Sequence, residues 1–111
     1  MPTTKEIFEK IHQSLSADSS RTGGLDAVYQ FNLTGDDAGV YQIILKPDSV
    51  SVAEGETVPA HCTLELSAAD FKDMVKGKLN GTIAFMSGKL RVQGDLGLAM
   101  RLQSVLSADS V

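Results

Sequence analysis

Ala27-Val28-Tyr29-Gln30-Phe31-Asn32-Leu33-Thr34 decides the fold class. Its period is two, with Ala27, Tyr29, Phe31 and Leu33 alternating with Val28, Gln30, Asn32 and Thr34. Successive strand side chains point to opposite faces, so the pattern predicts a half-buried strand. Gly35-Asp36-Asp37-Ala38-Gly39 then reads as a turn, with Asp36-Asp37 as turn chemistry rather than a catalytic pair. Val40 to Lys46 predicts a second strand with Tyr41, Ile43 and Leu45 on one face. Pro47-Asp48 turns the chain, because proline cannot donate to a ladder. Val50 and Val52 mark a short third strand, and His61 to Leu66 predicts a fourth with Cys62, Leu64 and Leu66 on one face.

Helical signals flank this block. Thr3-x-x-Glu6 is a capping box that opens a helix with Ile7, Phe8, Ile11 and Leu15 on one stripe. That helix is expected to fade between Ser14 and Ser20, before a loop at Arg21-Thr22-Gly23-Gly24. Ser67 to Asp70 caps a second helix with Phe71, Met74 and Val75 inward and Gly77 at its end. After Asn80-Gly81 a short helix runs through Ile83, Ala84, Phe85 and Met86, and Gly88 closes it. Lys89 to Gln93 predicts a fifth strand with Leu90 and Val92 inward, and Asp95 caps a last helix from Leu96 to about Leu106. Strands joined by short turns imply a mainly antiparallel sheet with helices on one face, an α+β sandwich. The 111 residues fit one domain, 1–111, with no internal repeat or linker.

Composition excludes several function classes. Charged residues make up 22% and apolar ones 42%, an ordinary globular balance. The net charge of −4 argues against nucleic acid. Residues 1–70 hold four cations and eleven carboxylates; residues 71–111 hold six cations and three carboxylates. The basic third is either a solvated face or a patch for transient contact with anionic membranes. No apolar run reaches membrane-span length, the start lacks a signal-peptide pattern, and a single cysteine fits a reducing compartment, so a cytoplasmic location is expected. His12 and His61 lack metal-ligand spacing, so no metal is expected. Cys62 shares a strand face with Leu64 and Leu66 and reads as a buried thiol. No acid, base and nucleophile set is readable, so no enzyme activity and no cofactor are expected.

The last helix is apolar round most of its circumference. Leu98, Leu102, Val105 and Leu106 share one side; Leu96 and Met100 lie well round from them, with Ala99 near the divide. Such a helix needs two apolar neighbours, and a sheet supplies only one. The reading is either a well-packed core or an apolar cavity closed by this helix.

The string Gly77-Lys78-Leu79-Asn80-Gly81-Thr82-Ile83-Ala84-Phe85-Met86-Ser87-Gly88-Lys89-Leu90-Arg91-Val92-Gln93-Gly94-Asp95-Leu96-Gly97-Leu98-Ala99-Met100-Arg101-Leu102 resembles the fingerprint of the sterol carrier protein type-two domain. The family pattern there is a lysine-leucine-asparagine turn, an alanine-phenylalanine segment, Gly-Lys-Leu, then Gly-x-x-Gly-x-Ala-x-x-Leu. Gly81 stands where the family often has proline, and Asp95 where it often has asparagine. The tail Ala108-Asp109-Ser110-Val111 is not of the Ser-Lys-Leu peroxisomal type.

The resemblance implies a five-stranded sheet with helices on one face and an apolar tunnel between them. It also implies a non-catalytic carrier of fatty acids, fatty acyl-CoA or sterols, a monomer or weak dimer. With apolar spacing added, the expected lining is Phe8, Ile11, Leu64, Phe71, Met74, Ile83, Phe85, Met86, Leu98, Met100, Leu102, Val105 and Leu106. Arg21 with the amides around Gly23 and Gly24 reads either as a carboxylate grip near the tunnel mouth or as a solvated loop. The alternative function is a non-catalytic accessory domain docking on a partner protein or membrane through its apolar carboxyl helix.

Overall fold

The computed structural model describes residues 3–17, 26–76 and 78–106, the last five as backbone alone. The elements follow as α1 (Thr4–Ala17), β1 (Ala27–Thr34), β2 (Gly39–Lys46), β3 (Ser49–Glu54), β4 (Cys62–Ser67), α2 (Ala68–Val75), α3 (Gly81–Met86), β5 (Arg91–Gly94) and α4 (Leu96–Leu106). The expected order holds throughout. The fifth strand starts later than the Lys89 expected from alternation, because the Lys89 and Leu90 N–H groups both turn back to the Ala84 carbonyl, at 2.9 and 3.1 Å.

The sheet order is β3-β2-β1-β4-β5. All pairs are antiparallel except β1 with β4, which run parallel. The parallel pair arises because the chain leaves β3 at one edge and must cross β2 and β1 before it lands beside β1. That crossing is held on the outer face by Gln42, which is fully buried. Its Oε1 accepts from the Thr57 hydroxyl at 2.9 Å and the Thr57 N–H at 3.1 Å, and its Nε2 donates to the Val58 carbonyl at 2.7 Å. Gln42 Nε2 also donates to Gln30 Oε1 at 3.0 Å, so the polar groups on this face are paired rather than orphaned.

The inner face carries the core. Register places Phe31 between Tyr41 and Leu64, and Tyr29 between Ile43 and Cys62. Helix α1 lays Ile7, Phe8, Ile11 and Leu15 onto this face, all essentially without solvent exposure. Phe8 is the hub: its ring stacks on Tyr41 at 4.5 Å and Phe71 at 4.9 Å, and meets the Phe31 ring edge-on at 5.4 Å.

The start of α1 is tied down twice. Thr3 Oγ1 accepts from the Glu6 N–H at 3.2 Å, and the Thr3 hydroxyl donates to Glu6 Oε1 at 3.2 Å. Thr4 donates its N–H to Asp37 Oδ2 at 2.6 Å and its hydroxyl to the Asp37 carbonyl at 2.8 Å. Asp37 adopts φ +64°, a left-handed turn conformation that aspartate tolerates better than most residues. Lys72 of α2 reaches the same carboxylate at 3.0 Å. One turn residue thus joins a hairpin and two helices.

The Thr4 N–H above all, then Lys72 and the Thr4 hydroxyl, hold the Asp37 carboxyl below its ordinary range. A depressed folded-state value means the stabilisation is present above the ordinary aspartate value of about 3.9 and is lost as pH falls through the depressed one. Acid titration followed by circular dichroism should show Asp37→Asn unfolding with a weaker pH dependence in that window than the wild type. Parallel curves would show that Asp37 is not an acid-sensitive tie.

Candidate functional site

The second half of the chain builds a small shell beside the core. The Asn80 side chain caps α3, its Oδ1 accepting from the Thr82 N–H at 2.7 Å and the Ile83 N–H at 3.3 Å. A six-residue helix buries little, and here only Ala84 is buried. Asp95 caps α4 in the same way, accepting from the Gly97 N–H at 2.8 Å and the Leu98 N–H at 3.3 Å. Two further bonds pin the first turn of α4 to the sheet. The Asp95 N–H donates to the His61 carbonyl at 3.0 Å, and the buried Tyr29 hydroxyl donates to the Leu98 carbonyl at 2.6 Å. Gly94 makes this approach possible: at φ +95°, a Cβ there would lie 2.5 Å from the His61 carbonyl oxygen.

Burial above all, then the charge that Cys62 takes on once ionised at high pH and that of Asp95, opposed by Arg101, raises the Tyr29 phenol well above its ordinary value. It therefore stays a neutral donor. Burial, then Asp95, pushes the Cys62 thiol up to about 11, so little thiolate exists at neutral pH. Among the described residues no three His, Cys, Asp or Glu side chains gather as a metal site.

Between α2, α3, β5 and α4 lies a cleft of about 250 Å³. Its wall is Met74, Gly81, Thr82, Phe85, Leu90, Val92, Leu96, Ala99 and Met100. Phe85 is half exposed, Leu96 is 56% exposed and Met100 82%. Large apolar side chains exposed together around a concavity mark a binding surface rather than ordinary surface scatter.

The family profile described as the SCP-2 sterol transfer family matches residues 8–107. The chain belongs to that family. The sterol carrier resemblance carried by Gly77 to Leu102 holds, and with it a lipid-binding fold. Hydroxysteroid dehydrogenase-like protein 2 of Danio rerio is 41% identical over 103 residues, covering 92% of this chain and 24% of the relative. The Homo sapiens protein of that name is 36% identical over 104 residues, covering 93% of this chain and 24% of the relative. The chain thus spans about a quarter of the length of these relatives.

Solved sterol carrier structures share the fold. The sterol carrier protein domain 2 of Helicoverpa armigera matches with a TM-score of 0.78 at 26% identity, covering 96% of this chain and 87% of that one. Sterol carrier protein 2 of Yarrowia lipolytica, in its apo form, matches at 0.73 and 28% identity, covering 92% and 88%. Palmitated SCP2L2 of Aedes aegypti matches at 0.75 and 23% identity, covering 96% of each.

Within this sterol-carrier frame the candidate residues separate into groups. Met74, Phe85 and Met100 stand in the cleft wall. Phe8, Ile11, Leu64 and Phe71 are buried in the core and are not among the residues of the cleft wall. Phe8 also borders a smaller recess of about 140 Å³, whose rim carries Lys5, Glu9, His12 and Glu54. Ile83 and Met86 are exposed on α3 beside the cleft, and Leu98 packs against the core. Arg21, Gly23 and Gly24 lie outside the described residues, as do the side chains of Leu102, Val105 and Leu106.

The wall also contains Gly81, Thr82, Leu90, Val92, Leu96 and Ala99. Leu90 and Val92 were legible as inward strand positions, and Leu96 as a residue on the second apolar side of α4. Gly81 and Thr82 give no apolar signal at all.

Proposed function

We propose that the chain binds single lipid molecules in this cleft and carries them between membranes, with fatty acids, fatty acyl-CoA or sterols as the ligand class. The observation that carries the reading is a cleft whose described wall is almost wholly apolar, rimmed by exposed Leu96 and Met100. Burial drives such binding, since each methylene removed from water contributes about 0.8 kcal/mol. The sterol carrier names of the Helicoverpa and Yarrowia neighbours support a lipid occupant.

At about 250 Å³ the cleft exceeds the roughly 150 Å³ that takes a benzene. It falls just below the roughly 300 Å³ where ligand pockets usually begin. A long acyl chain or a sterol therefore needs α3 or α4 to part further. Helix α3, buried only at Ala84, is the element with least to lose.

Native mass spectrometry of the protein as purified, with extraction of what travels with it, tests the reading. Stoichiometric lipid is expected. Bare protein that takes up no fluorescent fatty acid, and that binds only a partner protein or a bilayer, would favour the accessory-domain alternative.

Delivery is proposed to use anionic membranes, with the chain acting as a cytoplasmic monomer or weak dimer. From Met74 to Gly94 there is no carboxylate, while Lys76, Lys78, Lys89 and Arg91 bring positive charge to the same segment as the cleft. Each cation near an anionic bilayer contributes about 1 kcal/mol, screened over about 8 Å at physiological salt. Fatty-acid transfer to vesicles should therefore quicken with anionic lipid and vesicle concentration and slow with added salt. A rate indifferent to all three would mean that ligand leaves through water.

A further inference from the structure

One wall residue does not fit an apolar cleft. Thr82 stands beside Gly81 in the wall, and among the described residues every other side chain there is apolar. Its hydroxyl serves no structural bond among the described residues. Capping of α3 falls to Asn80, which takes the Thr82 N–H and leaves Thr82 Oγ1 untouched. We propose that Thr82 Oγ1 is the specificity-determining group of the cleft, pairing with the single uncharged hydroxyl of a neutral lipid alcohol.

The chemistry follows from what the wall offers. A lipid hydroxyl that leaves water needs a partner able both to donate and to accept, and a threonine hydroxyl does both. A carboxylate or phosphate drawn inside would need a cation, and among the described residues no charged side chain lines the cleft, so such head groups stay in the water outside while an uncharged hydroxyl can pair within the wall. The hydroxyl end of the ligand then sits against Thr82, and its hydrocarbon lies inward towards Leu90 and Val92. This orientation rests on the lipid-binding reading of the cleft given above.

Octanol and nonane, an alcohol and an alkane of equal size, separate the hydroxyl contact from burial. Their uptake by the full chain is measured by headspace partitioning, for the wild type, Thr82→Val and Thr82→Ser. Val keeps the shape and removes the hydroxyl; Ser restores it. Loss of one neutral hydrogen bond should weaken octanol about fivefold in Thr82→Val. Nonane should be unchanged, and Thr82→Ser should recover most of the octanol affinity. Equal weakening of both ligands, or no weakening of either, would overturn the assignment and leave Thr82 as a packing residue. Failure of wild-type protein to take up either compound would overturn the cleft reading itself, and the role of Thr82 with it. Circular dichroism of each variant confirms that the fold is retained, as expected for an exposed position whose cap lies elsewhere.

Discussion

Ala99→Phe should abolish most lipid uptake while the protein stays folded. Ala99 is half-buried in α4 and its side chain forms part of the cleft wall. A phenyl ring there occupies the space that a ligand would otherwise fill. Displacing about four methylenes removes roughly 3 kcal/mol of burial, about a hundredfold in affinity. The helix itself tolerates the change, since the difference in propensity is only about half a kcal/mol. Met86→Ala is the matched control. Met86 is exposed on α3 but outside the wall, so its removal should leave ligand stoichiometry intact. Titration with a fluorescent fatty acid reads both variants. Full uptake by Ala99→Phe would place the ligand elsewhere in the molecule.

Phe8→Ala should have the largest effect on stability. The ring is fully enclosed and contacts three other aromatic rings, those of Phe31, Tyr41 and Phe71. Deleting it leaves a cavity at the hub of the core, at a cost of about 3–5 kcal/mol. Small domains hold only about 5–15 kcal/mol in total, so the substitution removes a large share of the protein's stability. Denaturant titration measures the loss. The milder Phe8→Leu separates core from cleft. It should lower the unfolding midpoint yet leave ligand bound per folded molecule unchanged, because Phe8 is not part of the cleft wall. A change in ligand capacity in Phe8→Leu would show that the bound lipid reaches beneath α1.

The two substitutions mark the line between what local chemistry announces and what it does not. Alternation in Ala27 to Thr34 announced the inner face, because side-chain direction has a period of two wherever a strand lies, but the strand is not half-buried as expected: Val28 and Gln30 on its other face are buried as well. Thr3, Ser67 and Asp95 announced helix starts, because a capping side chain acts within two or three residues of itself. The fingerprint from Gly77 to Leu102 announced the family. The apolar girth of α4 announced that something must cover a second side.

What the sequence by itself determined, then, was the elements, their apolar faces, the sterol carrier relationship and the presence of surplus apolar surface. Only the tertiary structure decided which apolar residues became core and which became cleft. Phe8 and Met100 carry the same kind of signal, a large apolar side chain at helical spacing, yet one is enclosed and the other 82% exposed. A stripe records that a side avoids water, not which element will cover it. The parallel pairing of β1 with β4, the reach of Asp37 to Thr4 across 33 positions and that of Tyr29 to Leu98 across 69 were settled by the same long-range docking. Such contacts join groups whose separation along the chain has no periodic trace. Thr82 is the sharpest instance: a small polar residue in a capped turn looks like any other until folding sets its hydroxyl beside the apolar side chains that line the cleft among the described residues.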